Sequence, residues 1–362
     1  MNIRQLDMLR GIAALLVTLF HMKPFIEYIS PGNSHFFNGG SYLGVSVFFI
    51  LSGFVIGIAT SRDTDFVSFL IKRVFRVYIP AVVATILYLL ASGKDIKISS
   101  VLILFPDGGT APYYGYGPFF ITWTLVYELL FYVVFAFSMM FSPAKRLNVA
   151  AGIIIFNVTV LQFLINGSLT LTPGFSNSVN NSRSVVWSFL TNPINLLFII
   201  GMFYFKYFEC LKMVVSKVRK GTLAFYILIG SSLSFSGYFF MSGHGILQMG
   251  AFSTVLFGCF LLVHFMQDEE DSPSYIERAL MWLGGISYSL YLCHYIAINL
   301  RVYYFEWLNL KNVHYHFVVI LACVFVISII FYYVVDKPVH IAGKKMASLI
   351  INYRAKKALI SR

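Results

Sequence analysis

Charge is what this sequence has least of. Of its 362 residues only 12% are Asp, Glu, Lys or Arg, against 58% that are hydrophobic. A soluble domain carries about 25% charged residues. Half that density cannot cover the surface of a soluble chain of this length. Cysteine is scarce too. Cys210, Cys259, Cys293 and Cys323 are scattered through or beside apolar segments without CxxC spacing. That pattern speaks against a disulfide framework or a thiolate metal site and reads as apolar filler. Internal repeats and low-complexity tracts are absent, and no polar stretch is long enough for a soluble domain. His21, His294 and Glu128 are metal-ligand residue types, but no HExxH-like spacing supports a metal site, and none is expected.

What the chain does have is long apolar runs. Its mean hydropathy is +0.77. Aromatics make up 18%, mostly Phe and Tyr, which suits helices lying against lipid with Tyr at the interfaces. A hydrocarbon core about 30 Å thick takes about 20 apolar residues per helix. Segments 8–29, 42–60, 75–92, 119–141, 147–166, 189–208, 222–241, 246–266, 281–300 and 316–336 meet that length. The expected fold is therefore all-α and membrane-integral, with about ten transmembrane helices. Arg4 followed by the run from Gly11 to Phe20 resembles a signal peptide. No small-residue cleavage site follows it, so it reads as a retained first span.

The basic residues orient this topology. With the N-terminus inside, only Lys23, Lys94, Lys97, Arg183, Arg301 and Lys311 fall on the outer side, out of 27 Lys and Arg. Excess Lys and Arg mark cytoplasmic loops, so both termini are expected in the cytoplasm. The same asymmetry accounts for the net charge of +12 without nucleic-acid binding. One loop runs against it, the acidic Asp268, Glu269, Glu270 and Asp271, but acidic residues weigh little in this rule. The stretches 93–118 and 167–188, rich in Gly, Pro, Ser and Asn, are expected outside as a lid or an acceptor-binding rim. The tail 341–362 is basic and amphipathic, fit to lie on an anionic inner leaflet.

Ionisable groups inside spans are costly, and they usually face the bundle interior. Arg10 and His21 are eleven residues apart on the first span. That spacing puts them on nearly one face, with His21 roughly 16 Å above Arg10. Glu128 on the fourth span and His294 on the ninth fall at roughly 18–19 Å above the inner edge. Three ionisable groups from three helices thus arrive at one depth. Two of them have a plain alternative: a hydrogen-bonded core histidine for His21, and an interfacial residue among Tyr288, Tyr291 and Tyr295 for His294. An unpaired Glu128 in lipid has no easy structural excuse. At the inner edge Lys72, Arg73 and Arg76 cluster. Arg73 and Arg76 share a helical face suited to phosphate, or to simple anchoring at lipid headgroups.

Several segments resemble the membrane-bound acyltransferase-3 family, whose members O-acylate bacterial surface polysaccharides. "IRQLDMLRGIAALLVTLFH" is similar to that family's first span, with Arg10 and His21 in an Arg-x10-His motif. "YLGVSVFFILSGFVI" is similar to its second span. "KRVFRVYIP" matches an RxxR segment through Arg73 and Arg76. "WTLVYELLFY" matches through Trp123, Thr124, Leu125 and Glu128. "LGGISYSLYLCHY" matches through Ser287, Tyr288, Tyr291 and His294. "VVDKPV" resembles the closing Glu-Lys-Pro element, with Asp336 in place of Glu. The likeness runs in order over 3–339. Ser46 departs from a commonly acidic position.

The resemblance implies a transmembrane acyltransferase domain over 1–340, in a bacterial inner membrane. It implies an acyl-CoA donor, most simply acetyl-CoA, and an acceptor hydroxyl on a glycan or lipid-linked glycan. His21 is then the expected base. Glu128 orients the imidazole or holds the acceptor, and Arg10 binds donor phosphate or carbonyl oxygen. Arg73, Arg76 and Lys72 grip the CoA phosphates. Trp123, Ser287, Tyr288 and His294 line the acceptor side. The competing class is a transporter or flippase for a small anion or lipid-linked glycan, which also wants ionisable groups at mid-depth. The paired, interrupted halves common in transporters are not visible here.

Overall fold

A computed structural model describes residues 3–37, 39–101, 110–115, 117–174, 182–240, 246–267, 272–309 and 312–360. The acidic stretch Asp268–Asp271 and the middle portions of the two long polar stretches lie outside the described residues. The principal helices are α1 (Arg4–His21), α2 (Lys23–Ile29), α3 (Gly40–Arg62), α4 (Phe66–Arg73), α5 (Ile79–Ala91), α6 (Trp123–Phe141), α7 (Arg146–Phe156), α8 (Leu196–Lys206), α9 (Lys220–Phe240), α10 (Ile246–Met266), α11 (Tyr275–Gly285), α12 (Ser287–Asn299), α13 (His316–Phe331) and α14 (Lys337–Ile360). Among the described residues there is no strand. That follows from apolar runs too long for strands, in a solvent where each span must satisfy its own backbone.

Each of the ten apolar segments falls on helix. Six continuous helices among the described residues are long and apolar enough to cross a membrane: Gly40–Ser61, Phe66–Ala91, Phe120–Phe141, Arg146–Asn166, Val185–Lys206 and Val313–Arg354. The first segment makes a seventh if α1 and α2, which meet at a 72° bend, are taken together. The ninth segment divides into α11 and α12 at Ile286. The basic tail does not begin a new element at 341, because α14 runs through it unbroken.

α3 is the central post, 72% buried along its apolar window, whereas the Val313–Arg354 helix is only 22% buried and turns most of its surface outward. Phe137, Phe141, Leu164 and Leu228 on the periphery are likewise exposed, as helices facing lipid require. Between helices the packing relies on small residues, because lipid is as apolar as Leu and offers no hydrophobic drive. A Cβ on Gly53 would sit 2.1 Å from the Phe198 carbonyl oxygen, and one on Gly201 1.9 Å from that of Ile50. α3 and α8 therefore touch backbone to backbone. Gly284 likewise meets the Asp7 carbonyl, which locks α11 onto α1.

Three prolines place the breaks that matter. Proline lacks an N–H and its ring clashes with the carbonyl four residues earlier. Pro24 follows the end of α1 just beyond His21. Pro80 follows a π-helical turn, Val74–Tyr78. Pro338 follows another, Tyr332–Asp336. In both of these the wide turn ends two residues before the proline. Wide turns of this kind concentrate at functional sites.

Candidate active site

The two π turns face each other. The Arg76 guanidinium, from the first, meets Asp336 Oδ1, from the second, at 2.7 Å. The other oxygen of Asp336 accepts from Ser289 Oγ at 3.1 Å. Asp336 is fully buried, so this pairing is what makes its charge tolerable there. The first π turn also redirects a backbone carbonyl: Val77 accepts from the Tyr288 hydroxyl at 2.6 Å.

Beside this joint lies a cavity of about 150 Å³ lined by Arg10, Arg73, Arg76, Ser52, Thr124, Glu128, Tyr132, Ser287, Tyr288 and Tyr291, with apolar residues of α3. Six helical segments contribute to it. Arg10 is 3.6 Å from Asp7. The Arg73 guanidinium stacks over Phe69 and Tyr132 at 5.3 and 5.4 Å, an arrangement its planar, weakly hydrated head favours. Its buried Nε has no hydrogen-bond partner. Among the described residues no carboxylate pairs with Arg73. It is the cation left available to an anion.

Glu128 belongs to this cavity. Its carboxylate accepts from Ser52 Oγ at 2.8 Å and from the Tyr132 hydroxyl. The expected contact with His21 is not made. Lys72 is not among the lining residues either. Its ammonium donates to Asp63 Oδ2 at 2.6 Å. Burial alone would raise the Asp63 pKa, yet hydrogen bonds from Lys72, Ser68 and the Asp65 amide outweigh it and hold this carboxyl below its usual value. Ser287 and Tyr288, expected on the acceptor side, line the cavity instead. Trp123 lies outside the lining, edge-on to Tyr113 at 5.0 Å.

The two histidines do meet. His294 Nε2 lies 3.2 Å from His21 Nδ1, although 273 residues separate them in sequence. Their tautomers follow from the neighbouring groups. His294 Nδ1 faces the Leu290 carbonyl at 3.2 Å, and His21 Nδ1 faces the Val17 carbonyl at 2.9 Å. A carbonyl only accepts, so each Nδ1 carries the proton. His294 Nε2 is then a lone pair and accepts from the shared His21 Nδ1–H. The consequence falls on the far side of the first ring: His21 Nε2 is left unprotonated, with no hydrogen-bond partner among the described residues. Tyr295 stands edge-on to His21 at 5.7 Å, and beyond it Tyr88 stacks on Phe119 at 4.6 Å.

Tyr291 separates the two groups of residues. It lines the cavity, while its ring also lies 5.9 Å from that of His294. Its hydroxyl donates to the Ile121 carbonyl at 2.6 Å and pairs with Thr124 Oγ1 at 2.7 Å. Sequence reading missed the roles of Ser52 and Tyr132. Ser52 precedes Gly53 within an apolar span, and Tyr132 is one helical turn from Glu128; both were findable as polar groups in reach of that carboxylate. Among the described residues no three His, Cys, Asp or Glu side chains gather around one point.

Helices of this length and hydropathy, closed around polar groups, define a multi-pass membrane protein with an internal site. The profile of a family described as an acyltransferase domain matches residues 3–333. The chain belongs to this acyltransferase-3 family, and is an acyltransferase. It is also similar to the exopolysaccharide production protein ExoZ of Rhizobium meliloti (strain 1021), with 27% identity over 288 residues, covering 73% of this chain and 78% of that protein. No solved structure matches it.

Proposed function

We propose that this protein moves an acyl group, most simply acetyl, from cytoplasmic acyl-CoA to a hydroxyl of a glycan or lipid-linked glycan outside a bacterial inner membrane. The observation that carries this reading is the histidine pair, His294 Nε2 3.2 Å from His21 Nδ1, held beyond a cavity lined by three arginines. The relative's name, an exopolysaccharide production protein, favours an exopolysaccharide acceptor. The basic end of the bundle is then cytoplasmic, with both termini there.

In this reading the acceptor hydroxyl approaches His21 from the side of Tyr295. His21 Nε2 takes the hydroxyl proton as the oxygen attacks the thioester carbonyl. The tetrahedral intermediate collapses, the C–S bond breaks, and the departing thiolate takes the proton from His21. His294 holds the ring that does this. Arg10 is roughly 16 Å along α1 from His21, so it serves the donor's phosphate or its arm in the cavity and not the carbonyl oxygen. Arg73 and Arg76 face the same end of the donor. Glu128, fixed by two hydroxyls, shapes and charge-balances the cavity. The donor arm reaches His21 past Tyr291.

The test uses inverted membrane vesicles with radiolabelled acetyl-CoA and the native glycolipid. Label should reach glycan in wild type, vanish with His21→Ala, and return in part at high donor concentration with Arg73→Ala. Label that stays on CoA, with folded protein and acceptor present, would sink the reading.

A further inference from the structure

The C-terminal helix is placed where the proposed function gives it no part. α14 packs along α4 and along the Val74–Tyr78 turn. Three contacts fix it there. Asp336, just before its first residue, holds Arg76. Gly343 lies so close to Phe75 that a Cβ would sit 2.4 Å from the Phe75 Cβ. Farther on, the Arg354 guanidinium reaches Asp65 at 3.4 Å. Phe75 lies between Arg73 and Arg76 in sequence, so this helix borders the arginine end of the cavity.

His340 sits between the first two contacts. It is half-buried on the stripe that includes the buried Gly343 and Ala347. Lys344 is about 40° from it around the helix, whereas Lys345 is about 140° away. The helix packs on α4, which carries Arg73, and on the turn that carries Arg76. The carboxylates of this region are engaged elsewhere. Asp63 is bound by Lys72, Asp65 by Arg354, Asp336 by Arg76, Asp7 lies beside Arg10, and Glu128 accepts from the Ser52 and Tyr132 hydroxyls. Among the described residues neither Arg73 nor Lys344 has a carboxylate partner, and the buried Arg73 Nε donates to nothing. Cations without a carboxylate in contact, presented by two helices that pack together, suit an anion.

We propose that the C-terminal helix is part of the donor site, with His340 and Lys344 joining Arg73 to hold phosphoryl groups of the nucleotide carrier. This rests on the acyl-CoA reading above. The basic residues of this helix are thereby divided: those on the His340 face bind the donor, and Lys345 does not.

The experiment is CoA and pantetheine binding to the full-length protein in lipid nanodiscs. It compares wild type with Lys344→Glu, with the double variant His340→Gln/Lys344→Gln, and with Lys345→Glu as a control of equal charge change. Loss of a charge-assisted contact should weaken CoA binding about tenfold in the first two. Pantetheine, which lacks the nucleotide phosphates, should bind all four proteins alike, and Lys345→Glu should match wild type. Lys344 is exposed, so its variant tests the idea without threatening the fold. Unchanged CoA affinity in Lys344→Glu and in the double variant, while wild type binds CoA, would overturn the inference and leave the donor reading standing. Equal weakening of pantetheine would overturn it as well, showing a helix that only supports the fold. Wild type that binds no CoA would overturn both.

Discussion

The two halves of the site are built on different principles. The cavity is built by charge. Arg10, Arg73, Arg76 and Glu128 line it from four segments, and the π turn ahead of Pro338 supplies Asp336, which holds Arg76 at its edge. Among the described residues, the histidine half has no carboxylate in hydrogen-bond contact. Two imidazoles and two backbone carbonyls set its protonation pattern. Charge grips a polyanion from several sides. A base needs one lone pair in one direction, and a helix supplies that through the carbonyl one turn back. Variants in the two halves should therefore fail differently, one in turnover and the other in donor affinity.

The largest effect should come from His21→Ala. Loss of a positioned general base removes about 10²–10⁴-fold of rate, and kcat should fall with donor KM unchanged. His294→Ala should cost less, because the Val17 carbonyl still holds the His21 Nδ1 proton, and His294→Gln should recover part of the loss by offering His21 an acceptor. Steady-state kinetics in vesicles checks both. A His21 variant whose donor KM rises while kcat holds would break the division between the halves.

Next comes a comparison within the cavity. Arg73 and Arg76 look equivalent as RxxR, but only Arg76 is tied to a buried acid. Arg76→Ala leaves Asp336 buried and unpaired, a loss of about 3–5 kcal/mol by the usual cost of breaking such a pair. It should lower the yield of folded protein, and Asp336→Asn in the same chain should restore part of it. Arg73→Ala should leave folding intact and raise donor KM by about ten- to a hundredfold, as expected for a lost contact to a charged group. Thermal unfolding beside donor titration separates the two. Equal behaviour in both assays would show the pair to be one functional unit.

How much of this was legible beforehand follows from the chemistry of each residue. Apolar length located the helices, because lipid leaves the chain little choice. Ionisable residues in spans pointed to side chains that the fold brings together, His21 with His294 and Arg10 with Arg73, Arg76 and Glu128. Depth misled about partners: Glu128, expected level with His21, lines the cavity with Arg10, Arg73 and Arg76 and turns to Ser52 and Tyr132. Depth fixes one coordinate of three, and helix rotation and neighbours fix the others. The break at Ile286 was hidden for a related reason. It lies inside an apolar run, and the close approach of Gly284 to the Asp7 backbone involves a residue 277 positions away. Asp336 as the partner of Arg76 was hidden because the two prolines that place their turns sit in motifs at opposite ends of the chain.

A smaller effect tests Tyr291, which stands between the halves. Tyr291→Phe keeps the ring against His294 but removes its bonds to Ile121 and Thr124. At about 1 kcal/mol for a neutral hydrogen bond, stability should drop modestly. If the hydroxyl holds the ring in place between donor cavity and base, kcat should change while CoA binding does not. A change in CoA affinity alone would assign Tyr291 to the cavity and move the boundary between the halves.

The smallest effect sharpens the comparison from outside the site. Lys72 neighbours Arg73 in sequence but is bound to Asp63, so Lys72→Ala should leave donor KM within about twofold, with its cost confined to stability at about 1 kcal/mol or less for a partly exposed pair. The sign of its pH dependence is fixed. Hydrogen bonds hold the Asp63 pKa below its ordinary 3.8, so folding favours the carboxylate. The stabilisation is full above the unfolded value and is lost as pH falls through the lower folded one. Thermal midpoints of wild type and Lys72→Ala should therefore differ at neutral pH and converge in acid below 3.8. A donor KM that rises as much in Lys72→Ala as in Arg73→Ala would show that the ammonium leaves Asp63 when donor arrives, and the three basic residues would then form one phosphate grip.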